Sequence, residues 1–394
     1  MYQVFNNSAK VIITCNKRLS VYLQQEVEAL GFKPVRVFAT GVELMATVNE
    51  CIKLNLNLRC ASQILYRIKE FNAADANEMY QQVLAIEWEK LVDFSGYFSV
   101  TSNVDNSTIT TPLFANLKVK DAIADRIKSI HNMRPNSGSD YSKTVVHLYW
   151  KNDSAEIYLD TSGETLAKHS YRKIPGKAPM LEALAAGTIF STGWDKKSTF
   201  VNPMCGSGTL AIEAALIATN RTPGLLRMNY AFMHILGYDE EVFFKERRIL
   251  KDQIINHINF KIIASDISED AINISEKNAR TAGVDTLIDF QIADFADTVL
   301  PENQPGVIIF NPEYGERLGV HSKLEATYKR IGDYLKQDCK GYKGYIFTGN
   351  PDLAKKIGLK ASRRLEFYNG KLDCRLLEYE LYDGSRRIAE NNTE

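Results

Sequence analysis

The chain has 394 residues, which is long for one ordinary domain, so two or three are expected. Apolar residues at 45% and charged residues at 24% describe a soluble globular protein. Forty-eight basic residues balance 48 acidic ones, so no global field draws the chain to nucleic acid, and any such partner must be held by local patches. No apolar run approaches membrane-spanning length. The start, Met1-Tyr2-Gln3-Val4-Phe5-Asn6-Asn7, lacks the basic segment of a signal peptide, and a cytoplasmic protein is expected. The cysteines, at 15, 51, 60, 205, 339 and 374, form no Cys-x-x-Cys pair, and the histidines are equally dispersed. Neither a disulfide framework nor a metal site is expected.

Val11-Ile12-Ile13-Thr14-Cys15 reads as a strand. Val21, Leu23, Val27 and Leu30 then follow helical spacing, stopped by Gly31. Val35 to Phe38 and Val42 to Ala46 form a strand pair broken at Thr40-Gly41. A helix and a strand from Gln63 to Glu70 complete a ferredoxin-like order. Asn77 to Leu91 reads as one helical run, with Met79, Val83, Ile86 and Trp88 inward. Tyr97 to Thr101 is a strand. The next helix, Leu117 to Ile130, sets Val119, Ile123, Ile127 and Ile130 on one stripe and Lys118, Lys120, Arg126 and Lys128 on the other face. Strands from Val145 to Trp150 and Glu156 to Asp160 close this part, and Thr161-Ser162-Gly163 is a turn suited to a domain boundary. The segment from Lys168 to Lys177 is basic and aromatic, with no acid in it; it reads either as a solvated linker or as a nucleic-acid contact.

Beyond it, strands at Phe200-Val201, Lys261 to Ser265, Leu287 to Ile292, Val307 to Phe310 and Gly344 to Thr348 alternate with helices. That order predicts a mostly parallel, doubly wound sheet. Arg363 to Tyr368 and Cys374 to Leu381 meet at Asn369-Gly370, a hairpin signal. The tail after Gly384 reads as disordered.

Four stretches carry chemistry. Phe200 to Thr209 joins a strand to a helix through Cys205-Gly206-Ser207-Gly208; glycines there admit a ligand to the backbone, and the helix N-terminus favours a carboxylate. Cys205 reads as a small packing residue rather than a nucleophile. Asp266 closes the next strand and can take both ribose hydroxyls of a nucleoside. It lies about 60 residues beyond the loop, whereas a dinucleotide fingerprint expects about 20, which argues against NAD. Asp294 closes the following strand and can accept from an adenine amine. Each aspartate alone reads as a helix cap or turn residue. Asn311-Pro312-Glu313-Tyr314 closes the fourth. The Asn311 side-chain carbonyl can accept one N–H of an exocyclic amine, the Pro312 carbonyl the other, and the Tyr314 ring can stack on a base. The bland reading of Pro312 to Gly315 is a turn. The weight lies in the order, since ligands of open α/β sheets bind at these carboxyl ends.

Together these residues resemble the class I S-adenosylmethionine-dependent methyltransferases. The chain is more closely similar to the bacterial large-subunit ribosomal RNA guanine-N2 methyltransferases that carry a THUMP domain. Asn202 to Thr209 resembles their Asp-Pro-Met-Cys-Gly-Ser-Gly-Thr loop, and Lys177 to Glu182 with Leu184-Ala185-Ala186 their preceding helix. Asn311 to Leu318 is similar to Asn-Pro-Pro-Tyr-Gly-Glu-Arg-Leu, Lys120 to Arg126 with Arg134-Pro135 to the THUMP core, and Phe367 to Cys374 to the terminal hairpin. Leu159 to Gly163 followed by Tyr171-Arg172 is also family-like. Two departures stand out: Asn202 replaces an acid and Glu313 a proline.

The resemblance implies an α/β protein: a ferredoxin-like subdomain at 1–65, a THUMP RNA-binding domain at 66–163, a Rossmann-like class I methyltransferase sheet with a terminal β-hairpin at 164–384, and a tail at 385–394. A second, fused methyltransferase domain, present in some relatives, is not expected. S-adenosylmethionine is the implied cofactor, held by Asn202, Cys205, Gly206, Gly208, Asp266, Ile267, Asp294, Phe295 and Asn311. Asn311, Pro312 and Tyr314 are the implied catalytic residues. Lys118, Lys120, Arg126, Lys128, Arg134, Lys168, Arg172, Lys173, Lys177 and Arg317 are the implied RNA contacts. The implied partner is 23S ribosomal RNA, free or in a pre-50S particle, with no metal and no membrane. Methyl transfer to the same amine in transfer RNA, adenine-N6 methylation, and a non-catalytic role in RNA binding or ribosome assembly are the rival readings.

Overall fold

The computed structural model describes residues 4–107, 109, 111–174, 179–301, 304–314 and 321–382. The elements run β1 (Ala9–Cys15), α1 (Ser20–Ala29), β2 (Arg36–Phe38), β3 (Gly41–Ala46), α2 (Val48–Asn57), β4 (Ala61–Asn72), α3 (Ala76–Leu84), β5 (Tyr97–Asp105), α4 (Pro112–His131), β6 (Asn136–Gly138), β7 (Thr144–Lys151) and β8 (Ser154–Asp160). They continue as α5 (Glu182–Ser191), β9 (Phe200–Pro203), α6 (Thr209–Ala218), α7 (Glu240–Asp252), β10 (Ile262–Asp266), α8 (Glu269–Ala282), β11 (Ile288–Ile292) and β12 (Val307–Phe310). The last are α9 (His321–Gln337), β13 (Lys343–Thr348), α10 (Pro351–Lys356), β14 (Arg363–Asn369) and β15 (Leu372–Glu380). The expected tail lies outside the described residues. None of the described helices is long and apolar enough to cross a membrane.

The chain divides into two compact units: Met1–Lys168 with Thr222–Asp252, and His169–Arg221 with Gln253–Glu394. The first holds an eight-stranded sheet in the order β2-β3-β1-β4-β8-β7-β5-β6. Alternation writes its inner face: Val11, Ile13 and Cys15 of β1 are buried while their neighbours are not. Central β4 pairs antiparallel with β1 on one side and β8 on the other, so one strand runs across the boundary expected at 65/66. A capping box opens α2: Thr47 Oγ1 accepts the Glu50 N–H, and the Glu50 carboxylate accepts the Thr47 N–H. The run expected to stay helical to Leu91 ends instead at Leu84. Ile86 and buried Trp88 belong to the following turn, where the indole N–H donates to the Val83 carbonyl over 2.8 Å.

Thr222–Asp252, expected to fall inside 164–384, packs in the first unit. Its rings stack: Tyr230 on Phe232 at 5.0 Å, with Phe243 edge-on to Tyr230 at 6.2 Å. Buried Arg247 donates to the carbonyls of Gly224, Leu225 and Arg227. Gly224 seats the segment on α2, since a Cβ there would lie 2.4 Å from Leu56 Cα. Thr161-Ser162-Gly163, the turn expected at a domain boundary, is buried, and the Ser162 carbonyl accepts from Arg227 over 2.7 Å.

The second unit holds a seven-stranded sheet ordered β11-β10-β9-β12-β13-β15-β14. The first five strands run parallel, and β15 and β14 add the antiparallel hairpin that Asn369-Gly370 predicts. Strand order reverses between β9 and β12, which makes their carboxyl ends the switch point of the sheet.

One pH test follows from this fold. His147 on β7 is buried, with Nδ1 2.8 Å from Thr101 Oγ1, and burial lowers its pKa to about 4. The unfolded chain therefore binds the proton more readily. Stability should be fully present above an unfolded pKa of about 6.5 and decline as pH falls toward 4, by up to about 3 kcal/mol. Asp160, pushed up to about 6 by burial, acts with the opposite sign in this window. The difference between wild type and His147→Gln isolates the histidine: urea midpoints at pH 7.5 and 5 should shift less in the variant.

Candidate functional site

The loop after β9 is shaped by alternating left-handed residues, Met204 at φ 54°, Gly206 at 58° and Gly208 at 79°. A Cβ on Gly206 would meet nothing within 4 Å, whereas one on Gly208 would lie 2.9 Å from Ser275 Cβ. Gly206 thus faces open space, and Gly208 lets α6 start against α8. Ser275 Oγ donates to the Gly206 carbonyl over 2.8 Å, and the Asn278 amide to the Ser207 carbonyl over 3.3 Å. Cys205 is buried, and burial, then nearby Asp266, push its thiol up to about 12. It packs; it is not a nucleophile. Asn202 is 1% exposed and points into the sheet, where its amide donates to the Ile309 carbonyl over 2.9 Å.

Asp266 faces the same loop. One carboxylate oxygen accepts the Gly206 N–H and the other the Ser268 N–H, both at 3.0 Å, which leaves acceptor capacity on each. Ile267 beside it is 73% exposed. Asp294 uses Oδ1 alone, for the Ala296 N–H at 3.0 Å and the Arg330 guanidinium at 2.9 Å; Oδ2 has no bond among the described residues. Phe295, one of the implied cofactor residues, turns its ring into the core. Its ring is buried edge-on against Phe310 and Tyr334, under the Arg330 guanidinium at 4.9 Å.

Asn311 to Tyr314 leave the end of β12 beside that loop. Pro312 is buried and Glu313 exposed. Asn311 Oδ1 is buried and has no partner among the described residues. The half-buried Tyr314 hydroxyl accepts from the Asn369 amide over 3.0 Å, which ties the tetrad to the hairpin turn, and burial raises its pKa. Sequence reasoning missed Arg330, Ser275, Asn278 and Asn369 as supports. Only Asn369 carried a signal, and that signal concerned the turn.

The expected basic residues scatter. Arg126 stands four residues from Ala122 and seven from Val119, so the 3.6-residue turn sets it on the buried side of α4, where it forms a two-pronged pair with Glu89. Arg172 turns inward to Thr209 Oγ1 and the Met180 carbonyl and has little exposure. Arg134 pairs with Asp121 at 2.9 Å, and the Lys118 ammonium lies 5.8 Å from the Phe114 ring centre. Lys128, Lys168 and Lys173 are exposed and Lys120 half-buried. Lys177 and Arg317 lie outside the described residues. Among the described residues, no cluster of three metal-binding side chains occurs.

A family model for the RMKL-like methyltransferase domain matches residues 169–378, more than half of the chain. The chain belongs to the RMKL-like methyltransferase family. The match begins where the second unit begins and runs through Thr222–Asp252. Models of the RlmL ferredoxin-like domain and of the THUMP domain match 10–65 and 73–160. The chain is 34% identical over 382 residues to the ribosomal RNA large subunit methyltransferase K/L of Syntrophotalea carbinolica, covering 94% of this chain and 53% of that one. It spans about half the length of the curated relatives it matches. Among solved structures, a possible methylase from Clostridium difficile 630 superposes with a TM-score of 0.86 at 30% identity, covering 96% of this chain and all of that one. SMU.472, a putative methyltransferase complexed with SAH, gives 0.86 at 27%, covering 96% and 100%.

Gly208→Ala tests the loop. The new methyl meets Ser275 on a backbone that disfavours side chains, so the second unit should lose about 1–3 kcal/mol, measured as a lowered urea midpoint.

Proposed function

We propose that the chain transfers a methyl group from S-adenosylmethionine to the exocyclic 2-amine of a guanine in 23S ribosomal RNA. The observation that carries this reading is Asn311 Oδ1, an acceptor buried at the switch point of the sheet with no partner among the described residues. An unmatched buried acceptor costs about 1–3 kcal/mol, and an amine N–H would relieve that cost. The THUMP match supports RNA as substrate, and the names of the curated relatives support the large ribosomal subunit.

The loop and acids fit the cofactor. Gly206 leaves open space for its close approach, Asp266 has acceptor capacity for two ribose hydroxyls, exposed Ile267 suits a purine face, and Asp294 Oδ2 suits an adenine amine. SMU.472, similar over 96% of this chain, was solved with SAH. When bound, S-adenosylmethionine supplies a methyl on a sulfonium whose sulfur leaves as a neutral thioether. Asn311 and the Pro312 carbonyl would hold both N–H groups of the guanine amine, align its lone pair and favour the pyramidal nitrogen as positive charge develops. The proton then leaves to water, so no strong base is required. Tyr314, its hydroxyl fixed by Asn369, would stack on the extruded base.

Asp266→Ala should weaken cofactor binding by about 1.5–3 kcal/mol with the melting curve intact. An unchanged dissociation constant in calorimetry would remove Asp266 from the site. Asn311→Ala should slow single-turnover transfer about 100- to 1,000-fold and leave cofactor affinity within a few-fold. Mass spectrometry of nucleosides from the treated RNA decides the product: methylated adenine instead of guanine, or no methylation by wild type, would overturn the reading.

A further inference from the structure

A cavity of about 490 Å³ lies in the second unit between α10 and the β14–β15 hairpin. Thr348 and Gly349, at the carboxyl end of β13, form one wall. Leu359, Ala361 and Leu377 supply an apolar floor. Lys355, Lys360, Arg364 and Arg375 line it against a single acid, Asp373. Lys355 is matched by Asp352 and Arg375 by Asp373 and Glu366. Lys360 and Arg364 are exposed and have no ion pair or hydrogen bond among the described residues. Two unmatched cations therefore stand at the mouth of a concave, partly apolar surface.

Strand order says what reaches it. The Gly206 loop, Asp266 and Asp294 stand at the ends of β9, β10 and β11, on one side of the switch point. Asn311 to Tyr314 stand at the end of β12, and β13 is the neighbour on the far side, Phe310 pairing with Ile346. One strand spacing is about 4.8 Å, so the cavity wall at Thr348 begins beside the tetrad. A polynucleotide whose target base sits at Asn311 cannot run over the ends that the cofactor covers. Strand order leaves β13 and the hairpin as the side open to its flanking chain.

We propose that this cavity binds a phosphodiester segment of the substrate RNA next to the target nucleotide, with Lys360 and Arg364 on phosphate and the apolar floor against ribose or base. The inference rests on the reading of the chain as an RNA methyltransferase.

The test uses the full chain and a 23S-derived RNA fragment. Lys360→Glu combined with Arg364→Glu should raise the RNA dissociation constant and the KM for RNA at least tenfold. With two phosphates no longer neutralised, the log–log salt slope should also flatten by about 1.4. Cofactor affinity should not change. The neutral pair, Lys360→Gln with Arg364→Gln, should show the same slope change with a smaller loss of affinity. A matched reversal at exposed Lys336, in the last turn of α9, and Lys343, at the amino end of β13, controls for net charge and should leave both quantities alone. The proposal is overturned if neither pair alters the slope, or if the control pair alters it equally. Direct RNA binding is read without turnover. Wild type that binds RNA but transfers no methyl to it sinks the functional reading alone; a methylating wild type whose reversed variant keeps its RNA affinity sinks the cavity alone.

Discussion

Four neighbouring strand ends carry the candidate site, and the Asn202 amide joins the two that flank the switch point. It donates from β9 to the Ile309 carbonyl on β12 over 2.9 Å, inside a sheet where Asn202 is 1% exposed. The glycine loop follows directly from one strand and Asn311 to Tyr314 directly from the other. The bond helps hold the register, and register decides which face each side chain takes. An ionised acid at 202 could not donate to that carbonyl. The departure from the family's loop therefore has a local reason, and it concerns the sheet before it concerns any ligand.

Behind the loop, the segment that reads as a basic linker is anchored from within. His169 Nδ1 lies 2.7 Å from Glu213 on α6, both side chains fully buried. Arg172 reaches Thr209 at the start of α6, and Asn278 on α8 accepts the Lys173 N–H. Removing one partner of a buried hydrogen-bonded pair leaves the other unsatisfied, which costs about 1–3 kcal/mol. The segment thus fixes the first turn of α6 in place, and only part of its positive charge points to solvent.

Local patterns were legible and long-range partners were not. The glycine loop, both aspartates, the Asn-Pro-x-Tyr tetrad and the hairpin turn could be read because each needs a residue type at a strand end. The parallel sheet could be read because strands and helices alternate. Arg126 was misplaced because charge suggested solvent while its helical angle put it beside Val119. Nothing in the sequence placed the Phe295 ring, which packs edge-on against Phe310 and Tyr334. Arg330 and Asn278 lie far along the chain from the groups they support and match no motif. Nothing in the pattern of Thr222–Asp252 says which sheet its aromatic rings will cover.

That segment ties the two units together in time. The chain passes between them at 168/169, 221/222 and 252/253. During synthesis β9 and α6 of the second unit emerge before the first unit has its Tyr230, Phe232 and Phe243 cluster or Arg247. The first unit cannot close until residue 252 has left the ribosome, and by then the second is already begun. Domains usually fold one after another as they emerge; here the two histories are interleaved. A gene cut at 168 does not release the first unit but leaves α2 without the surface that Gly224 brings against it.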